Sequence, residues 1–218
     1  MVEIVIATKN VDKIKEIREL LSELSGIVSL IPATDLSLPD IEEDMDTLEG
    51  NARKKAMETM RMTGRISIAE DTGLEVEALG GAPGVLSSRF AGKGATYADN
   101  VAKLLKEMEG VEDRRATFRT VVAIALPDGD VRTVEGSVKG IITEEPRGEG
   151  GFGYDPVFLI PELGKTFAEL SIEEKNLVSH RGKAFRKALE VLKEILDEKG
   201  YRDSAKRGED KGRYMHGE

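Results

Sequence analysis

The chain has 218 residues, 39% of them hydrophobic and 33% charged, with no Cys and no Trp. That length supports one domain with a full core, or two small lobes around a cleft, while the lack of cysteine excludes a disulfide framework, a thiolate nucleophile and a Cys-ligated metal. The net charge of −9 argues against a nucleic-acid partner, which would favour a basic face, so a polyanionic small ligand would need local Lys and Arg together with a divalent cation.

Val2 to Ala7 reads as a short buried strand. It carries no basic leader, which makes it a poor signal peptide. No apolar run approaches a membrane span, so a cytoplasmic protein without a membrane partner is expected. Asn10 can cap a helix from Val11 to about Leu24, with Ile14, Ile17, Leu21 and Leu24 on one face and Gly26 as its stop. A second strand is predicted over Ile27 to Ile31, then an acidic loop or helix start over Asp40 to Glu49. A helix follows over Asn51 to Met62, ended by Gly64. Ile66 to Ala69 reads as a strand leading into Glu70-Asp71-Thr72-Gly73, and Gly80 to Gly84 as a forced turn.

Tyr97 to Met108 is an amphipathic helix with Val101, Leu104, Leu105 and Met108 inward. Ala116 to Leu126 and Val131 to Val138 are strands joined by the hairpin signal Asp128-Gly129. Val157 to Ile160 is a short strand, and Ser171 with Glu174 forms a capping box. The last helix spans about Gly182 to Lys199, and the mixed-charge, Gly-containing tail from Tyr201 to Glu218 is expected to be disordered. Alternating strands and helices with a central hairpin predict an α/β fold with a mixed sheet.

Four segments could carry chemistry. Thr8-Lys9-Asn10-Val11-Asp12-Lys13 joins a strand to a helix start, where free N–H groups and the helix dipole suit phosphate. It lacks P-loop spacing, and a capped surface helix with solvated lysines is the commoner meaning of such a segment. Glu70-Asp71-Thr72-Gly73 places a carboxylate at the end of a strand, where α/β sheets bind ligands and where oxygen ligands could hold Mg²⁺; an ordinary Asx turn fits equally well. Gly151-Phe152-Gly153-Tyr154-Asp155 combines a ring, a flexible backbone and a carboxylate. Ser179-His180-Arg181-Gly182 combines a helix cap, an imidazole and a fork-shaped donor suited to a carbonyl edge or a phosphate.

In order and spacing, four stretches resemble the inosine triphosphate pyrophosphatase family, hydrolases of non-standard purine nucleoside triphosphates: ATKNVDK at 7–13, AEDTGLEVEALGGAPGVLSSRFAG at 69–92, GFGYDPVF at 151–158 and SIEEKNLVSHRGKAF at 171–185. The resemblance implies an elongated mixed β-sheet with helices on both sides, two lobes flanking a central nucleotide-binding cleft, and a homodimer. It covers residues 1–200 as one α/β domain and leaves 201–218 outside. Thr8 to Lys13 would bind the triphosphate. Asp71 would be the proton acceptor and a metal ligand, with Glu42 as the second Mg²⁺ ligand and Glu43 as its near alternative. Thr72 would touch the substrate. Phe152, Gly153, Tyr154, Asp155, Lys175, His180 and Arg181 would bind the base. Lys9 and Asp12 stand where many relatives have Gly, and Asp12 is expected to turn outward. The activity implied is hydrolysis of inosine and xanthosine triphosphates and their deoxy forms to the monophosphate and pyrophosphate. A pyrophosphatase for another modified nucleotide, or a nucleotide-binding regulator without catalysis, are the competing readings.

Overall fold

Three consecutive side chains near the N-terminus, Ile4, Val5 and Ile6, are all at most 1% exposed, as expected of a strand covered on both faces. They belong to β1 (Val2–Ile6), and the computed structural model describes residues 1–200 around it; the expected disordered tail lies outside the described residues. The order continues α1 (Val11–Leu20), β2 (Val28–Pro32), α2 (Leu48–Thr63), β3 (Ile66–Val76), β4 (Pro83–Gly84) and α3 (Tyr97–Glu107). Then come β5 (Arg115–Ala125), β6 (Val131–Ile142), β7 (Phe158–Ile160), β8 (Lys165–Thr166), α4 (Ile172–Val178) and α5 (His180–Glu198).

The strands form one mixed sheet in the order β2-β1-β3-β5-β6-β7-β8, with β4 on the far end of β3. β2, β1 and β3 run parallel, and the remaining pairs are antiparallel. Successive residues of a strand face opposite sides of the sheet. Ile66 and Ile68 pack against α1 and α5, while Ala69 packs against α2 through Leu48, Ala52 and Ala56. Helices therefore cover both sides. The other ends of β3 and β5 supply Leu74, Val76, Ala116 and Phe118 to a second core with Val101, Leu104 and Met108 of α3, Phe158 and Phe167. Two lobes result, one on each side of the middle of β3.

Several elements differ from expectation in ways that matter for the site. α1 stops at Leu20, where the Leu21 N–H closes on the Ile17 carbonyl, and the chain tightens into a 3₁₀ turn over Ser22–Leu24 that still buries Leu21 and Leu24. α2 starts at Leu48, with Thr47 accepting from the Gly50 N–H, so Asn51 is a buried helical residue rather than its start. β3 does not end at Ala69. It continues to Val76 because β5 supplies a ladder partner at every step, Asp71 opposite Val121 and Thr72 opposite Thr120. α5 begins at His180, where the Ser179 hydroxyl accepts from the Gly182 N–H. Its start lies directly on β6: a Cβ at Gly136 would sit 2.3 Å from the His180 carbonyl oxygen and 2.4 Å from the Ala184 nitrogen, so only Gly permits that approach.

Candidate active site

The site begins with an interruption in the sheet. β1 pairs with β3 only as far as Ile6 opposite Ile68, and β4 takes up β3 again at Leu74. Between these points Ala69 to Gly73 are paired on the β5 side alone. The crevice opens there, beyond the C-terminal end of β1, where open α/β sheets place ligands. The Thr8–Lys13 segment, the acidic loop before α2, the Ser87–Arg89 turn and the start of α3 surround it.

Glu70 and Asp71 are adjacent on β3, so their side chains leave on opposite faces, and each meets a separate set of partners. Asp71 faces α2. Its Oδ2 accepts from Asn51 Nδ2 at 3.1 Å, and its Oδ1 lies 3.2 Å from Lys55 Nζ. Asn51 and Lys55 are four apart on α2, hence neighbours on one helix face. Lys55 also bonds Glu43 at 2.5 Å, so two carboxylates converge on one ammonium. Burial pushes the Asp71 carboxyl above its usual range and outweighs the opposing Lys55 charge. Burial would lower Lys55, but Asp71 and Glu43 hold it raised and charged.

Glu70 faces α1 and α5. It takes Lys13 Nζ at 2.7 Å, Arg181 Nε at 3.3 Å and Arg181 Nη2 at 3.4 Å. Arg181 Nη1 donates to Glu16 Oε2 at 2.6 Å, and the other Glu16 oxygen takes Lys175 Nζ at 2.8 Å. Lys175 also donates to Asp155 at 2.6 Å. All five of Glu16, Glu70, Asp155, Lys175 and Arg181 are buried. Burial would raise Glu70, but Arg181 and Lys13 take it well below the usual carboxylate range; Glu16 is lowered in the same way by Arg181 and Lys175.

Above this network lies the ring of Phe152, with Lys175 Nζ 4.7 Å and Arg181 Cζ 5.2 Å from its centroid. His180 stacks on Phe118 with centroids 4.4 Å apart and 14° between planes. Burial, reinforced by the nearby Arg181 and Lys175 charges, pushes the imidazole well below its ordinary 6.5 and keeps it neutral. A depressed His pKa means the unfolded chain binds the proton more tightly, so stability is full above pH 6.5 and falls as pH drops below it. Melting temperatures taken from pH 7.5 to 5 should therefore decline less in His180→Gln than in the wild type; parallel curves would show that the imidazole is not held neutral.

The crevice has two connected parts. A cavity of about 330 Å³ is lined by Thr8, Lys9, Asn10, Lys13, Glu43, Lys55, Asp71 and Thr72, and a smaller one of about 100 Å³ by Tyr97, Phe118, Phe152, Gly153, Tyr154, Asp155, His180 and Arg181. Asn10, Lys13, Thr72 and Ser88 border both. A lysine-lined end with a carboxylate thus joins an aromatic end.

Most expected residues meet in this crevice. Thr8 accepts from the Asn10 N–H at 3.2 Å, Asn10 caps α1, and Lys9 reaches Asp40 at 2.7 Å. Val11 is 76% exposed and Asp12 turns outward, so neither borders the two cavities. Glu42 is exposed and lies outside both cavities; it is Glu43, the next residue, whose carboxylate reaches Lys55 beside Asp71. Tyr154 is a wall residue whose hydroxyl donates to the Ser87 carbonyl at 2.8 Å. Glu16, Asn51, Lys55 and Tyr97 escaped the sequence reading. The only local signals were the three-residue spacing of Lys13 and Glu16 and the four-residue spacing of Asn51 and Lys55.

A mixed α/β sheet broken at one strand edge, with lysines and a buried carboxylate at one end of the gap and an aromatic slot at the other, defines a cleft for a ligand that is anionic at one end and planar at the other. Residues 4–191 match the Ham1 family, and the chain belongs to it. It is 49% identical over 195 residues to a dITP/XTP pyrophosphatase of Desulforamulus reducens, covering 88% of this chain and 96% of that one. It is 46% identical over 194 residues to a dITP/XTP pyrophosphatase of Thermus thermophilus, covering 88% and 92%. Among solved structures, a HAM1 protein from Coxiella burnetii superposes with a TM-score of 0.81 at 43% identity, covering 89% of this chain and all of that one.

Proposed function

We infer that the protein hydrolyses non-standard purine nucleoside triphosphates, those of inosine and xanthosine and their deoxy forms, to the monophosphate and pyrophosphate. The observation that carries this reading is Asp71: a buried carboxylate, raised in pKa, opening on a lysine-lined cavity continuous with an aromatic one. Relatives at 45–51% identity bear the name dITP/XTP pyrophosphatase, which supports the same substrate class.

The roles follow from chemistry. Lys9, Lys13, Lys55 and the N-terminus of α1 hold phosphate oxygens. Asp71 orients a water and takes its proton as the new P–O bond forms and the bond to pyrophosphate breaks. Among the described residues no group of three or more Asp, Glu or His side chains could hold a metal, but Mg²⁺ asks for only one or two carboxylates plus water and phosphate oxygens. Asp71 and Glu43, already turned toward one cation, fit that need with Glu43 in place of Glu42. Magnesium bound there would offset the triphosphate charge. At the other end Phe152 offers a stacking face. The remaining N–H groups of Arg181 and the neutral His180 can donate to a 6-oxo group, where adenine would present a donor. On the same family resemblance, the protein is proposed to act as a cytoplasmic homodimer.

The test is a panel of inosine, xanthosine, deoxyinosine, adenosine and guanosine triphosphates, with pyrophosphate and orthophosphate measured separately in magnesium and after chelation. Pyrophosphate from the inosine and xanthosine substrates, about tenfold or more above that from adenosine because a mismatched donor costs about 1–3 kcal/mol, is the expected result. Release of orthophosphate, or no preference among bases, would refute the reading.

A further inference from the structure

Tyr97 lines the aromatic cavity from the α3 side and joins the two lobes across the crevice. It is the first residue of α3, and its backbone is fixed by a capping box in which Thr96 and Asp99 bond each other's side chains and N–H groups. Its hydroxyl accepts from Asn10 Nδ2 at 2.8 Å and lies 3.4 Å from Asp12 Oδ2. Asn10 is itself committed: its Oδ1 caps α1 by accepting from the Lys13 N–H at 3.1 Å. One of the two N–H donors of the Asn10 amide, on the border of both cavities, is therefore taken by Tyr97.

The ring closes the slot as well. Its centroid is 5.9 Å from that of Phe152, with 39° between the planes. A planar base stacked between two rings needs a contact of about 3.5–4 Å on each face, hence about 7 Å or more between near-parallel rings. The observed gap is too narrow and too tilted. The aromatic cavity of about 100 Å³ is likewise well below the roughly 300–1,000 Å³ of ordinary small-molecule sites. Tyr97 is 43% exposed, so it has room to turn outward about its own side-chain torsions while α3 stays in place.

We propose that Tyr97 is a gate on the base cavity: its bond to Asn10 holds the slot shut in the free protein, and the nucleotide base opens it by turning the ring outward and releasing the Asn10 amide. This inference rests on the nucleotide reading above and adds to it a residue that opposes binding until displaced. A ligand that must break an existing hydrogen bond binds more weakly than one that meets a free slot.

Tyr97→Phe keeps the ring and removes the clasp. Titration calorimetry with inosine monophosphate should give a dissociation constant about two- to tenfold lower for Tyr97→Phe than for the wild type, the range expected for one net hydrogen bond. Stopped-flow association with Tyr97→Ala, which removes the ring too, should be faster than with the wild type. A tyrosine that only ties the lobes together would lower the melting temperature of both variants without tightening binding. Equal or weaker affinity in Tyr97→Phe, with no faster association in Tyr97→Ala, overturns the gate. Absence of binding by the wild type and both variants overturns the nucleotide reading itself, a distinct outcome, and the gate with it.

Discussion

Asp71→Asn lowers turnover of inosine triphosphate by about 10²–10⁴-fold, the usual contribution of a positioned general base, while binding of inosine monophosphate stays measurable. The substitution is nearly isosteric and removes only the charge and the capacity to accept a proton. Lys55 keeps Glu43 as its partner, so the lysine remains in place. Stability separates this loss from damage to the fold, and the Asp71 pKa is raised. A carboxyl whose folded pKa lies above its unfolded value favours folding only while protonated, and that contribution is lost as pH rises through the folded pKa. At neutral pH the ionised Asp71 is therefore a cost to the fold. Asp71→Asn should melt close to the wild-type temperature at pH 7 while being nearly inactive, because relief of the Asp71 burial penalty is offset by loss of its pairing with Lys55, which Glu43 still holds. A variant that is inactive and also melts far below the wild type would instead make Asp71 a structural residue.

The α/β class, the hairpin and the caps could be read from the chain because local chemistry decides them: Asn10 and Ser179 cap helices, and Gly129 turns with φ of +94°; the crevice-lining segments were brought together by the family resemblance. The polar run at residues 70–73 misled because a turn and a buried strand with ion partners on both faces look alike until the partners are known. Glu70 meets Arg181 across 111 residues, and Arg181 and Lys175 in turn meet Glu16 across 165 and 159. No periodicity encodes such a pairing. That Glu43 rather than Glu42 turns toward Lys55 on α2 is a choice between adjacent loop side chains that no local pattern encodes. Three of the five Arg181 N–H groups hold Glu16 and Glu70, so the guanidinium anchors the fold and still leaves donors for the base contact proposed above.

That double duty gives Glu16→Gln the second large effect. Among the described residues Glu16 is the carboxylate shared by Lys175 and Arg181, and it is 4% exposed. Gln preserves its shape but leaves two buried cations with only Asp155 and Glu70 as counter-charges. Removing one member of a buried ion cluster costs about 3–5 kcal/mol, and for a chain of this size that corresponds to a fall of roughly 6–20 °C in melting temperature. The pH dependence should change too. Glu16 has its folded pKa below the ordinary 4.5, so its stabilisation is full above that pH and disappears as pH falls through the depressed value. The gap in melting temperature between wild type and Glu16→Gln should accordingly be widest at neutral pH and narrow below pH 4.5. Function should follow the same residue, since an Arg181 released from Glu16 can swing and a mobile guanidinium discriminates poorly between an oxo and an amino group. The ratio of kcat/KM for inosine over adenosine triphosphate should drop along with the melting temperature. A variant that melts within a degree or two of the wild type and keeps its ratio would mean that Asp155 and Glu70 alone hold the two cations, and that Glu16 neither anchors the fold nor aims the arginine.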